Sequence, residues 1–262
     1  ALPYAPAGLP FTPAPLPSAP WLAGGPTVLA WSRCGRSPSP DSPERIAMDT
    51  LFRTLLALHV AAGFTALLTG LSAIASCKGG PLHARSGRLF HGAMVAVALT
   101  AVALSALKGG RFLLHIGLFA LYQVHAGLRS IRNKGLRPAS QDWAGLALGG
   151  GNGAFMIATG NVVLLVFGGI STLLALTDLR LFVRALRGQP LPPLAWLRRH
   201  IGMMLGTYIA TTTAFLLTLM RHLDVGWLHF LFPTFIGVPF IAYATWRSTR
   251  RGAVRRGDLL SS

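Results

Sequence analysis

Long apolar runs alternate with short basic clusters along most of the chain. Most runs approach twenty residues, which is about the length a helix needs to cross a bilayer core of about 30 Å. Where a run is shorter, the helix must extend into the flanking polar residues. The pattern therefore predicts an all-α fold, a bundle of transmembrane helices. Five spans are clear: residues 55–76, 90–107, 112–128, 201–220 and 225–246.

A longer apolar segment covers residues 143–177, 35 positions in all. One continuous helix of that length would measure about 50 Å at about 1.5 Å per residue, well beyond a bilayer core. A break at the sequence TGN, residues 159–161, instead gives two short spans, 143–159 and 162–177. The broken form predicts seven helices, whereas an unbroken segment predicts six.

The distribution of basic residues distinguishes a nucleic-acid-binding protein from a multi-pass membrane protein. The chain has 24 Lys and Arg against 7 Asp and Glu, for a net charge of +17, yet only 12% of its residues are charged. A nucleic-acid-binding protein would present such charge on a soluble basic face. Here the basic residues form short clusters between apolar runs, which is typical of loops in a multi-pass membrane protein. We therefore predict the lipid bilayer as partner, with anionic headgroups at the basic loops, and no nucleic acid.

The same clusters predict an orientation. With seven helices, one side of the membrane receives 17 of the 24 basic residues, whereas six helices split them 16 against 8. Basic loops favour the cytoplasmic side, so seven helices place the N-terminus outside and the C-terminus inside. The 17 residues are Lys78, Arg85, Arg88, Arg129, Arg132, Lys134, Arg137, Arg180, Arg184, Arg187, Arg198, Arg199, Arg247, Arg250, Arg251, Arg255 and Arg256.

The two ends of the chain differ from its middle. Residues 1–47 are rich in Pro and Ala without a helical or strand period, which is typical of disordered or extended chain. Met48 directly precedes the first apolar run, so residues 1–47 are expected to be a disordered tail or to lie upstream of the true start. The transmembrane domain is then 48–250, followed by a basic cytoplasmic tail, 251–262.

Small residues predict where helices approach each other. Gly63, Ala66 and Gly70 form a stripe at helical spacing in the first span, and small residues favour helix packing inside lipid. The sequence GGGNG, residues 149–153, allows either close approach of a neighbour or local unwinding.

Histidine is unusually common, with eight residues against a single glutamate. Two sets of four at opposite faces would suit two bis-histidine haems of b type, and imidazole also suits proton transfer. The alternative is that histidines at helix ends simply lie in the membrane interface. No Cys-x-x-Cys-His attachment sequence and no zinc-ligand spacing are present. The seven-helix arrangement places His83, His91, His125 and His200 near the inner face and His59, His115, His222 and His229 toward the outer face.

Three polar residues lie inside or at the ends of predicted spans. His59 is within the first span, where an ionisable side chain is a functional candidate, although it can also be a neutral imidazole bonded to a neighbouring helix. Asp178, at the inner end of the fifth span, is expected to pair with Arg198 or Arg199. Asn152 is expected either to hydrogen-bond to a neighbouring helix or to line a polar cavity.

Four stretches resemble an uncharacterised family of bacterial multi-pass membrane proteins, a domain of unknown function, over residues 48–250. The resemblance implies recurring histidines in the first span, in the first loop and at the start of a late span, which here are His59, His83 and His200. Met203 departs from that pattern, since a basic residue is expected there. The resemblance implies no activity. The stretches are LHVAAGFTALLTG (58–70), KGGPLHARSGRLFHGAM (78–94), LTDLRLF (176–182) and RHIGMMLGTYIATTTAFLL (199–217).

Enzyme signatures are missing: the sequence contains no nucleophile elbow, phosphate-binding loop or dinucleotide fingerprint. We expect a multi-pass protein of the inner membrane that transports or senses through a polar intramembrane site. His59 would act in the outer half and His83 with His200 at the inner rim, with His91 and His125 as secondary candidates. A haem-bearing electron carrier and a structural membrane partner remain open alternatives.

Overall fold

The computed structural model describes residues 43–219 and 228–260, which form seven α-helices and contain no strand. The expected tail lies outside this part of the chain up to residue 42. Helix α1 begins at Pro43, so the boundary expected at Met48 falls within its first turns, and α7 continues through most of the expected basic tail. The helices are α1 (Pro43–Ala75), α2 (Pro81–Lys108), α3 (Arg111–Arg132), α4 (Ser140–Ala158), α5 (Val162–Leu186), α6 (Ala195–Leu219) and α7 (Leu228–Leu260).

The predicted break between α4 and α5 is confirmed. Helix α4 ends at Ala158, and Gly160 has φ +70°, a left-handed conformation that glycine adopts without strain. The Asn161 side chain then caps α5, because its Oδ1 accepts hydrogen bonds from the backbone N–H groups of Val163 and Leu164 at 3.0 and 3.1 Å. Two helices of 19 and 25 residues replace one that would be too long for a bilayer.

Four of the described helices are long and apolar enough to cross a membrane: α1, α2, α5 and α6, with mean hydropathy of 1.7, 1.9, 2.1 and 1.4 over 18 residues. The chain is therefore compatible with a membrane protein. Helices α3, α4 and α7 do not reach this combination of length and hydropathy. Helix α3 is the informative case, since it contacts α2, α4, α5 and α6 and buries ten of its 22 residues. Protein rather than lipid surrounds it, so it tolerates polar side chains.

Small residues allow close packing at some of the predicted positions. A Cβ on Gly70 would lie 2.5 Å from the Tyr208 ring, so α6 packs directly on the α1 backbone there, while Gly63 has open space around it. In α4 the helix continues without a break through the GGGNG segment. A Cβ on Gly149 would lie 2.4 Å from the Tyr122 ring. Close approach, not unwinding, is therefore the role of Gly149.

Large apolar side chains remain exposed on the outer faces of the helices. Phe64 and Leu68 on α1 and Phe235 on α7 are each more than half exposed. Such apolar surface is excessive for a soluble monomer but suits contact with lipid acyl chains. The described core instead surrounds α3. One cluster joins α3 to α4, α5 and α6, where Phe119 and Phe167 pack edge to face at 5.5 Å, and a second joins it to α1 and α2.

Candidate functional site

Polar side chains gather at one end of the bundle, where α1, α3 and α5 finish and α2, α4 and α6 begin. We call this the basic end. Hydrogen bonds join each of these helices to a neighbour there: α1 to α2, α3 to α4, α3 to α6 and α5 to α6. Asp178, His83 and His200 take part in these contacts, whereas His59 and His115 bond elsewhere.

The most buried group is a cluster of Asp178, Arg199 and Tyr122. Arg199 donates from Nε to Asp178 Oδ1 at 2.6 Å and from Nη2 to Asp178 Oδ2 at 2.7 Å. The Tyr122 hydroxyl donates to the same Oδ2 at 2.8 Å. The side chains of Asp178 and Arg199 are only 2% and 6% exposed. The expected pairing of Asp178 at this end is therefore confirmed, with Arg199 as its partner.

The remaining donors of Arg199 reach α3. Its Nη1 donates to the Ala126 carbonyl at 2.7 Å and to the Ser130 hydroxyl oxygen at 2.9 Å, and its guanidinium lies 5.4 Å from the centre of the Phe182 ring. A buried ion pair is tolerated only when such additional hydrogen bonds satisfy both charges. The cluster therefore connects α3, α5 and α6. Its charged groups are all hydrogen-bonded within the protein, which is the geometry of a contact that stabilises the fold.

A second ion pair joins α3 to α4. Arg129 donates to Asp142 from Nε at 2.9 Å and from Nη2 at 2.7 Å. The Asp142 carboxylate also accepts the backbone N–H of Ala139 at 2.9 Å, which caps the start of α4. Burial alone would raise the pKa of the Asp142 carboxyl, but these hydrogen bonds and the Arg129 charge outweigh it, so its pKa lies below the usual value.

His83 and His200 share one arrangement. Each imidazole donates from Nδ1 to a backbone carbonyl at 2.9 Å, His83 to Ala73 on α1 and His200 to Gly127 on α3. Both rings are half-buried, and they lie within electrostatic range of each other. No described residue bonds to Nε2 of either ring, so this nitrogen is left to accept a proton or a ligand. The structure thus places these two of the three leading candidates at the same end of the bundle.

His59 lies on a separate contact between α1 and α2. Its Nδ1 is 2.9 Å from the Thr100 hydroxyl oxygen. Thr100 already donates to the Ala96 carbonyl at 2.7 Å, so His59 is the donor of this bond. An imidazole bonded to a neighbouring helix is the simpler of the two expectations for His59, and the structure contains that bond. No described bond joins His59 to the other two candidate histidines.

Two of the secondary candidates are histidines at the basic end. His91 on α2 and His125 on α3 lie within electrostatic range of each other at the basic end. The His125 Nε2 is buried and has no partner among the described residues, and Gly145 packs beside its ring. The Nε2 atom of His125 is therefore a buried polar atom that the described residues leave unbonded.

Asn152 hydrogen-bonds to a neighbouring helix, which is one of the two roles expected for it. Its Oδ1 accepts from His115 Nδ1 at 2.7 Å, and its Nδ2 donates to the His115 carbonyl at 3.0 Å. The Phe155 ring stacks on the imidazole with centres 5.1 Å apart. His115 is thus held by α4. His222 and the side chain of His229 lie outside the described part of the chain.

Sequence reasoning missed Tyr122 and Gln123, the adjacent polar pair in the middle of α3. Gln123 is 1% exposed, its Oε1 has no described partner, and a Cβ on Gly206 would lie 2.4 Å from that oxygen. Two polar residues inside an apolar run were the available signal. In the described residues no three His, Cys, Asp or Glu side chains are grouped to hold a metal ion.

Comparison with models of known protein families, with curated proteins and with solved structures finds no match to this chain.

Proposed function

We propose that the chain is a multi-pass protein of the bacterial inner membrane with seven spanning helices. Two observations support this proposal: the four strongly apolar helices and the lipid-compatible faces of α1, α5 and α7. Helix α3 would cross within the bundle because its polar residues face other helices. The distribution of basic residues then favours an outside N-terminus and places the basic end in the cytoplasm.

Within that arrangement the protein transports or senses protons, or a small polar ligand, through the His83 and His200 pair. The observation that carries this proposal is the shared geometry of the two rings: Nδ1 anchored to a carbonyl and Nε2 without a described partner. Anchoring fixes the tautomer and the ring orientation, so the free nitrogen is presented in one direction. Four helices meet at the pair, so a change in its charge would act on all four.

The pair has chemistry suited to sensing. Imidazole is the side chain whose charge ordinarily changes near neutral pH, so a pair of imidazoles suits a proton-responsive site. Trp196 lies one turn before His200 on α6 and provides an optical reporter of that end. His59 would contribute a separate polar contact in the outer half, between α1 and α2.

The test uses the full chain in lipid nanodiscs and in proteoliposomes. We expect the tryptophan fluorescence of the wild type to titrate between about pH 5 and pH 8, and His83→Gln or His200→Gln to remove that transition. His115→Gln, toward the other end of α3, is the control and should retain it. Proteoliposomes with a trapped pH dye and an imposed potential report proton flux, which distinguishes transport from sensing. If the tryptophan fluorescence does not change with pH and proton flux stays at background, this function is contradicted. The role of a structural membrane partner would then be left.

A haem-bearing electron carrier is the second candidate. The same anchored Nδ1 favours it, because haem and metal ligands commonly bind through Nε2 while Nδ1 bonds to a carbonyl. A dithionite-reduced minus oxidised absorption spectrum of protein expressed with haem precursor tests it. Sharp reduced bands that disappear in His200→Gln would support the carrier. A flat spectrum at full haem supply would remove it.

A further inference from the structure

One exposed side of α5 changes from apolar to basic along its length. Within a sector of this helix about 100° wide, at about 100° per residue, seven large side chains are exposed. The first four are large apolar side chains, each close to half exposed or more, and the last three are exposed arginines at the basic end. We call this side the α5 face. Its residues are Val162, Leu165, Leu173, Leu176, Arg180, Arg184 and Arg187.

The basic part of the α5 face borders an open groove of about 600 Å³. The three arginines line it at spacings of four and three residues, so they stand on successive turns and span about 10 Å. All of the lining residues belong to α5 or directly follow it: Thr177 lies beside the arginines, and Leu179 and Leu181 flank them on opposite sides of the helix. The groove therefore offers guanidinium donors next to hydrocarbon.

These arginines are not neutralised within the described protein. The two described ion pairs use other residues, Arg129 with Asp142 and Arg199 with Asp178. Asp178 belongs to α5 but lies about 160° around the helix from Arg180. No described carboxylate pairs with any of the three groove arginines, so their planar donor groups are available to an external anion. Guanidinium binds phosphate oxygens through two parallel hydrogen bonds, which makes phosphate the matching partner.

We infer that the α5 face binds an anionic phospholipid of the bilayer. The headgroup phosphate lies against the arginines, and the acyl chains run along Leu176 and Leu173 toward Leu165. The inference does not depend on the histidine site. A role in membrane orientation explains positive charge at this end of α5, but it does not require the arginines to continue an exposed leucine stripe. A phospholipid, which has a charged headgroup and apolar acyl chains, needs this alignment of arginines with exposed leucines.

The experiment is native mass spectrometry of the full chain in detergent, titrated with phosphatidylglycerol or phosphatidylcholine. We expect discrete adducts of the anionic lipid in excess of the zwitterionic one. The triple variant R180Q/R184Q/R187Q should raise the Kd for phosphatidylglycerol about tenfold or more. The triple variant R85Q/R88Q/R137Q removes the same charge from exposed positions elsewhere and should raise that Kd much less. Equal loss in both variants would mean diffuse charge attraction and would overturn the site.

Two further arms separate lipid from free anion. Inorganic phosphate and glycerophosphoglycerol, the headgroup without acyl chains, should not compete at concentrations where the lipid binds. Competition as strong as that of the intact lipid would overturn the lipid assignment. Should the arginine triple variant purify as an aggregate, L173N/L176N retains all three arginines and should still weaken binding of phosphatidylglycerol. Unchanged binding in that variant contradicts the inference.

Discussion

Arg199 holds Asp178 through two parallel hydrogen bonds, of 2.6 and 2.7 Å, in a setting where both side chains are almost fully buried. The pair joins α6 to α5, and Tyr122 and Ser130 extend it to α3. Such a pair stabilises a fold only while both members are present, because either one alone is a buried charge without a partner.

Asp178→Asn should therefore lower the free energy of unfolding in detergent by about 3–5 kcal/mol, because it leaves the Arg199 charge buried without its counter-ion. Chemical unfolding followed by circular dichroism measures the loss. The double variant D178L/R199M replaces both charges with apolar groups and should recover much of the stability. A double variant as unstable as D178N alone would contradict the explanation by an unpaired charge.

Gly149→Ala should destabilise the packing of α3 on α4 by about 1–3 kcal/mol, since the added methyl group would overlap the Tyr122 ring. Gly151 is the matched control on the same helix, because a Cβ there meets nothing within 4 Å. Gly151→Ala should be neutral or stabilising, by up to about 1 kcal/mol, through helix propensity alone. Thermal unfolding of both variants in one detergent makes the comparison, and equal effects would refute the close approach.

The contribution of Asp142 should depend on pH in a defined direction. Its pKa in the folded protein is lowered by hydrogen bonds that outweigh burial, so the stability it adds is fully present above the unfolded pKa of about 3.9. That stability is lost as the pH falls through the still lower folded pKa. The stability difference between wild type and Asp142→Asn should thus be constant above about pH 5 and shrink below about pH 4. A difference that grows toward acid pH would reverse the assigned sign.

Asn161→Ala should cost about 1 kcal/mol, because it removes the acceptor for the first free N–H groups of α5. Asn161→Ser retains a capping oxygen and should lose much less. Hydrogen exchange at Val163 and Leu164 localises the effect, and protection of these two amides should fall in the alanine variant alone.

The sequence was sufficient for features that depend on local chemistry or on spacing along one helix. The TGN break follows from segment length, and the ion pair of Asp178 follows from the scarcity of carboxylates near a basic cluster. The contact of Tyr122 with Asp178 and that of His115 with Asn152 could not be predicted. Both depend on which helices pack against α3. The pattern along α3 shows that it has a polar side, but it does not show which neighbouring side chain meets each polar residue.

The central position of α3 has a consequence for how the protein is made. A helix that carries Gln123 and two histidines gains little by entering lipid alone, but it gains partners for its polar groups once α2, α4 and α6 surround it. In the proposed arrangement with seven spans, insertion and packing of α3 would therefore be coupled, since the ribosome delivers α4 and α6 only after α3 has been synthesised. Residence of α3 in the bilayer would then be the outcome of assembly, and biogenesis would have to hold the third helix close to the membrane until the later ones arrive.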